Sequence, residues 1–246
     1  MLSAARIKYV AALSQKKFRD SEGLFVAEGE KLVQEALASS FAVEAVYRKE
    51  EIGEAAMKRI SSLATPSPVL AVVRKPAAAT LSAAVKRGLY LALDGIRDPG
   101  NLGTILRIAD WFGVDGVYAS PDTVDLYNPK VVQATMGAIF RVPFLYTELP
   151  PLCRSLAEAG AAVYGTFLNG RNLYQMDLSC GAERPALIVV GNEANGISEA
   201  VEREVTQRLF IPPYPAGEPG SESLNAAVAT AVTVAEFRRR SYSSFL

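Results

Sequence analysis

From Leu89 onward, short apolar runs alternate with segments of helical periodicity, and this alternation constrains the fold more than any other feature of the chain. Leu89–Leu93, Gly116–Ala119, Val142–Leu145, Ala162–Phe167, Leu187–Val190 and Leu209–Ile211 read as strands. Leu89–Leu93 is a continuous apolar run, as expected for a strand covered on both faces. Strands separated by helices imply a parallel sheet with helices on both sides. The last helix is expected over Ala226 to about Arg240. Val228, Ala231, Val232, Ala235 and Phe237 are its apolar residues, and Arg238, Arg239 and Arg240 suit its negative C-terminal end.

The part before Leu89 reads as a separate, smaller α/β unit. Ile7, Val10, Ala11 and Leu13 lie at helical spacing behind Ser3, an N-cap residue. Leu24–Val26, Val43–Tyr47 and Val69–Val73 are strand candidates. Helices are expected around Leu32–Leu37 and Glu51–Ile60. A linker rich in small residues, Arg74 to Thr80, follows, with a possible helix fragment at Ala83–Val85. The expected division is a substrate-binding unit over 1–80 and a parallel-sheet domain over 86–246.

Composition removes several chemistries. Of the 246 residues half are hydrophobic and about a fifth charged, which suits a soluble globular chain. No apolar run approaches the roughly 18 to 20 residues that span a bilayer. The first residues lack the apolar core of a signal peptide, so the cytoplasm is the expected location. Only Cys153 and Cys180 are present, and histidine is absent. Histidine-based triads and imidazole metal ligation are therefore excluded, and no metal is expected. The net charge is zero, yet Arg6, Lys8, Lys16, Lys17 and Arg19 all precede the first acidic residue, Asp20. This basic end reads either as a polyanion-binding patch or as a solvated helix face.

Three motifs lie where strands or tight turns run into helix starts, the places where α/β sheets leave room for ligands. The first is Asn101-Leu102-Gly103 followed by Arg107, with Gly103 and Arg107 on one helix face. It has neither GxGxxG nor a P-loop lysine, which argues against a dinucleotide enzyme or an NTPase. Arg107 also has an ordinary reading, as an ion-pair partner of Asp110. The second motif is Gly191-Asn192-Glu193 leading to Gly196; Glu193 serves either a ligand or the start of a short helix over Ser198–Glu204. The third is Ser223-Leu224-Asn225, where both polar residues are also ordinary helix N-caps.

In combination these motifs resemble the SpoU/TrmH family of RNA ribose 2′-O-methyltransferases, in the SPOUT superfamily. The first looks like the family's NxGxxxR signature, the second its GxE turn and the third its IP…SLN segment. The resemblance covers Leu89 to about Arg240. Lys8-Tyr9-Val10, Phe25 to Gly29 and Leu32-Val33 look like the ribosomal-protein-like substrate-binding domain that often precedes it.

The resemblance implies a C-terminal trefoil knot, S-adenosylmethionine as cofactor and a homodimer through the knot region. It places Gly191, Ile211 and Leu224 against the cofactor, with Thr166, Leu168, Glu193 and Asn225 near it. Asn101, Arg107, Glu193, Ser223 and Asn225 match positions assigned to catalysis and substrate placement. The implied partner is structured RNA, rRNA preferred and tRNA second, bound through the N-terminal basic residues. A non-catalytic RNA-binding or ribosome-assembly protein that kept the fold is the alternative. The loop from Pro212 to Ser221, with four prolines and Tyr214, is longer than usual for the family, and Ala226-Ala227 is a plainer step than its usual Val-Ser.

Overall fold

The computed structural model describes residues 2–76, 88–178, 185–215 and 221–242. The helix fragment expected at Ala83–Val85, most of the linker before it, and part of the proline-rich loop lie outside these residues. The chain makes two compact units, Met1–Ala78 with Val124–Arg141, and Ala79–Thr123 with Val142–Leu246. The sequence of the second unit is thus interrupted by eighteen residues that pack with the first.

In the first unit, α1 (Ala4–Ala12) starts at Ser3, whose hydroxyl accepts from the Arg6 N–H at 3.2 Å. Then follow α2 (Lys16–Glu22), β1 (Leu24–Glu28), α3 (Glu30–Ala38) and β2 (Val43–Arg48). The helix expected around Glu51–Ile60 is two short ones, α4 (Lys49–Ile52) and α5 (Glu54–Ile60). Gly53, at φ 84°, breaks the turn between them. With β3 (Val69–Arg74) the strands make an antiparallel sheet in the order β1-β3-β2.

The second unit begins with β4 (Leu89–Asp94), α6 (Pro99–Trp111) and β5 (Gly116–Ala119). The chain then supplies α7 (Pro129–Thr135) to the first unit, and β1 shows why this matters. All five β1 residues are buried. Leu24 and Val26 pack with Ile7, Val10, Leu13, Met57 and Ile60. Phe25 meets Phe41, Tyr127 and Phe140, at ring-centroid distances of 6.3, 4.8 and 6.3 Å. Two of those three rings come from the interrupting segment. Arg19 anchors the segment's start: it is 2% exposed, and its guanidinium donates to Asp125 Oδ2 at 2.6 and 3.2 Å and to the carbonyls of Leu13 and Ser14.

The remaining elements are β6 (Phe144–Tyr146), α8 (Leu149–Glu158), β7 (Ala162–Phe167), β8 (Arg171–Asn172), β9 (Ala186–Gly191), α9 (Glu199–Glu202), β10 (Gln207–Phe210) and α10 (Ala226–Tyr242). β6 begins two residues later than the apolar pattern suggests, because Pro143 has no N–H for the ladder. β8, only two residues long, has no apolar pattern to announce it. The seven strands are parallel throughout, in the order β6-β5-β4-β9-β7-β10-β8, as the alternation requires. Their carboxyl ends therefore lie along one edge, with β4, β9, β7 and β10 adjacent.

The cations at the end of α10 have specific partners beyond the macrodipole. Arg238 donates to the carbonyls of Phe112, at 2.7 Å, and Gly113, where α6 ends. Arg239 and Arg240 hold Glu236 at 2.7 and 2.8 Å. Glu236 is 7% exposed, and these arginines, Arg239 foremost, hold its carboxyl well below the usual range, at about 2. A depressed carboxylate pKa stabilises the fold above the unfolded-state value, and that contribution disappears as pH falls through the folded-state value. Glu236→Gln is expected to cost about 1–2 kcal/mol at pH 7, discounted because Arg239 is largely solvated, with the deficit shrinking below about pH 4.5 and gone near pH 2. Denaturant unfolding of both proteins across that range measures it.

Candidate functional site at the carboxyl edge of the parallel sheet

Each motif reaches this edge by a different backbone device. After β4 the chain turns at Gly95, φ 70°, and enters α6 with Asp98 as N-cap. The Asp98 carboxylate accepts from the Asn101 N–H at 2.8 Å, and Pro99 occupies a first-turn position that needs no N–H. Asn101 thus sits in the first turn of α6, facing out.

After β9 the chain doubles back sharply. Asn192 and Gly196 exchange two backbone hydrogen bonds, both 2.9 Å. A side chain on Gly191 would place its Cβ 2.2 Å from the Gly196 carbonyl carbon, so only glycine fits. Asn192 fastens this turn from inside. Its Oδ1 accepts from the N–H groups of Ala194 and Asn195, and its Nδ2 donates to the Gly95 carbonyl at 2.6 Å. The buried Asp94 carboxylate takes the Ser198 N–H at 2.7 Å. The turn after β9 is therefore tied to the end of β4 at both sides, and Glu193 projects from its tip into solvent. Asn192 and Asp94 were legible only as parts of their motifs. Their fastening roles depend on β4 and β9 being neighbours, which the local sequence does not encode.

The third motif starts α10. Asn225 Oδ1 accepts from the N–H groups of Ala227 and Val228 at 2.9 and 3.3 Å, a helix cap as its residue type suggests. Its amide group does more. Asn225 Nδ2 donates to Asn101 Oδ1 at 2.9 Å, and Asn101 Nδ2 donates to Glu193 Oε1 at 2.7 Å. Three motifs separated by some ninety and thirty residues are thus joined by one hydrogen-bonded row.

The ordinary reading of Arg107 fails. Its guanidinium is exposed and has no hydrogen bond or ion pair with any described residue, Asp110 included. Ser223 is likewise exposed and without a partner among the described residues. The other residues expected near a cofactor gather at the same edge. Thr166, whose hydroxyl donates to the Val189 carbonyl at 3.2 Å, lies near the end of β7 and Leu168 follows it; Ile211 follows β10, and Leu224 precedes Asn225. Leu168 is 69% and Leu224 49% exposed, a poor situation for leucine unless something apolar covers it.

The residues expected to bind RNA divide. Lys8 and Lys17 are exposed and unpartnered among the described residues. Lys16 is exposed but pairs with Asp20, whose carboxyl it holds near 2 together with Lys75. Arg6 donates to the Tyr47 hydroxyl at 2.6 Å and lies over the Tyr9 ring. Arg19 is a correction: a guanidinium buried against Asp125 and two carbonyls holds the first unit together and is not available to RNA. Nothing in its local sequence separates it from Lys16 or Lys17. No group of three metal-ligating side chains occurs among the described residues, and no described helix is long and apolar enough to cross a membrane.

Residues 88–235 match the SpoU rRNA methylase family and residues 4–76 the MRM3-like substrate-binding domain. The chain is similar to the 23S rRNA (guanosine(2553)-2′-O)-methyltransferase RlmP of Bacillus subtilis, with 33% identity over 95% of this chain and 96% of that one. A solved structure of a TrmH-family RNA methyltransferase, from Porphyromonas gingivalis, is 40% identical, with a TM-score of 0.87 over 98% of this chain and 99% of that one. An AdoMet-bound rRNA methyltransferase from Sinorhizobium meliloti is 30% identical, with a TM-score of 0.84 over 97% and 96%. With its motifs joined at one sheet edge and its whole length matched, the chain belongs to the SpoU rRNA methylase family.

Proposed function

We propose that this protein transfers the methyl group of S-adenosylmethionine to a ribose 2′-hydroxyl of rRNA. The observation that carries the reading is the row Asn225–Asn101–Glu193, which joins all three motifs at the carboxyl edge of the sheet. The residues at this edge fit the cofactor. Exposed Leu168 and Leu224, with Ile211, offer apolar surface for an adenine ring, Thr166 and the turn after Gly191 offer backbone and hydroxyl groups, and Glu193 supplies negative charge. The cofactor brings an electrophilic methyl on a sulfonium. The chain must hold the ribose oxygen in line and stabilise the charge that develops on it.

Arg107 is the group for that charge. With no histidine in the chain, this unpaired guanidinium serves as an electrostatic stabiliser of the developing alkoxide. Asn101 and Ser223 position the hydroxyl, and its proton leaves to phosphate or water. Glu193 holds the Asn101 amide with its carbonyl turned toward Asn225.

The first unit binds the RNA. It carries 14 Lys and Arg against 10 Asp and Glu, a net +4, which the second unit balances at −4. rRNA is preferred over tRNA because RlmP, similar along its whole length, is an rRNA enzyme. We extend the reading to a knotted C-terminal segment, action in the cytoplasm and a homodimer. Trp111, 84% exposed on α6, and Val228, 49% exposed on α10, are the apolar side chains that a partner subunit would cover.

The test is transfer of labelled methyl to unmodified rRNA, followed by nucleotide analysis. Wild type is expected to yield 2′-O-methylnucleotide; no label despite cofactor binding would leave a binding protein instead. Arg107→Ala is expected to lower kcat by about 10²–10³ with cofactor affinity unchanged, and Arg107→Lys retaining full activity would refute a specific guanidinium role. Asn101→Asp, which replaces the donor to Glu193 with a like charge, should lose both turnover and cofactor affinity. Sedimentation tests the dimer: Trp111→Glu is expected to run as a monomer.

A further inference from the structure

The first unit contains a cleft of about 290 Å³ lined by Ser62, Leu63, Pro129, Lys130, Gln133 and Ala134. One wall is the loop after α5; the other is α7, from the interrupting segment. We propose that this cleft is a subsite for one unpaired nucleotide of the RNA substrate, its base against Leu63, Pro129 and Ala134 and its phosphate on Lys130. The proposal rests on the rRNA reading above.

Both walls are built rather than incidental. Glu28, 3% exposed at the end of β1, spends its carboxylate on the loop: Ser61 Oγ at 2.5 Å, and the N–H groups of Ser62 and Ser67 at 3.1 Å each. Burying a carboxylate is costly, and here its bonds go to holding a surface loop in place. The opposite wall is fixed by Arg19 on Asp125 and by Asn128, whose Oδ1 accepts from the Lys130 N–H at 2.9 Å.

The polar groups facing the cleft are uncommitted. Lys130 makes no ion pair with described residues, and the Gln133 side chain has no hydrogen-bond partner among them. Ser62 Oγ has only a 3.5 Å contact to Glu28. No carboxylate lines the cleft, and exposed, unpaired Lys58 and Arg59 immediately precede its loop. A cation, an amide and a hydroxyl around an apolar floor match a phosphate and a base edge. They do not match a cationic peptide. The volume suits one splayed-out nucleotide, the element by which single-stranded RNA is read.

The experiment measures binding of the full-length protein to unmodified rRNA across a salt series, beside cofactor affinity and melting temperature. Lys130→Gln is expected to weaken RNA binding severalfold and to reduce the slope of log K against log salt by about one. Ala134→Phe, which fills the floor without changing charge, is expected to weaken it about tenfold. Should Ala134→Phe lose the wild-type melting behaviour, Gln133→Ala on the rim takes its place, with a severalfold loss expected. Cofactor affinity stays at the wild-type value in every case. Unchanged RNA affinity in the variants, beside normal wild-type methylation, overturns the subsite alone. An effect of Lys130→Gln with the uncharged variants silent also overturns it, by reducing Lys130 to one surface cation. Wild-type protein that binds no rRNA overturns the rRNA reading itself.

Discussion

A carboxylate can only accept hydrogen bonds, and at this sheet edge that single fact orients everything beside it. Glu193 requires the NH₂ end of the Asn101 amide. The Asn101 oxygen must then face Asn225, which must present its own NH₂. The Asn225 oxygen is left to accept the N–H groups that open α10. Neither amide is free to flip. The row runs from a helix N-terminus, carrying partial positive charge, to a carboxylate at its far end, so the dipoles align and each bond strengthens the next. The turn after β9 must hold Glu193 still for this to work, which gives Asn192, Asp94 and the absence of a side chain at Gly191 their importance.

The first unit depends on a different device. Its β1 is buried on both faces, and Tyr127 and Phe140, which cover one of them, are encoded within the other unit's sequence. Tyr127 is half-buried, and burial pushes its hydroxyl up to about 12. Cutting the chain after residue 80 would strip Phe25 of these rings and leave Arg19 without Asp125. A truncated first unit would therefore fail for reasons unrelated to RNA. Point changes on the intact chain are the sounder probe of what this unit binds.

What the sequence made legible follows from what is local. Apolar runs broken by helical periods announced the parallel sheet, and strand ends followed by Gly or Asn announced the turns at its edge. Residue type alone named Asn225 as a cap and Gly191 as a tight turn. Long-range pairing was illegible: Arg19 looks like its basic neighbours, yet it is spent inside, on a carboxylate 106 residues away. The segment 124–141 reads as one more crossover until the aromatic contacts show which core it serves. The same limit applies to Asn101, whose two side-chain partners lie 92 and 124 residues away.

The charges around Arg107 support its proposed role as a stabiliser of the developing alkoxide. Several arginines elsewhere on this chain pair with carboxylates: Arg74 with Glu44, Arg141 with Glu35, Arg154 with Glu204 and Arg208 with Glu202. Arg107 has a carboxylate three residues along its own helix, yet it makes no such pair. An unneutralised guanidinium keeps its full field for whatever anion approaches, whereas one already paired would have to trade a bond for each bond gained. An imidazole could carry the proton away but would stabilise an alkoxide only once charged. A guanidinium is charged at every working pH, so stabilisation is present from the start and the proton's destination becomes a separate matter.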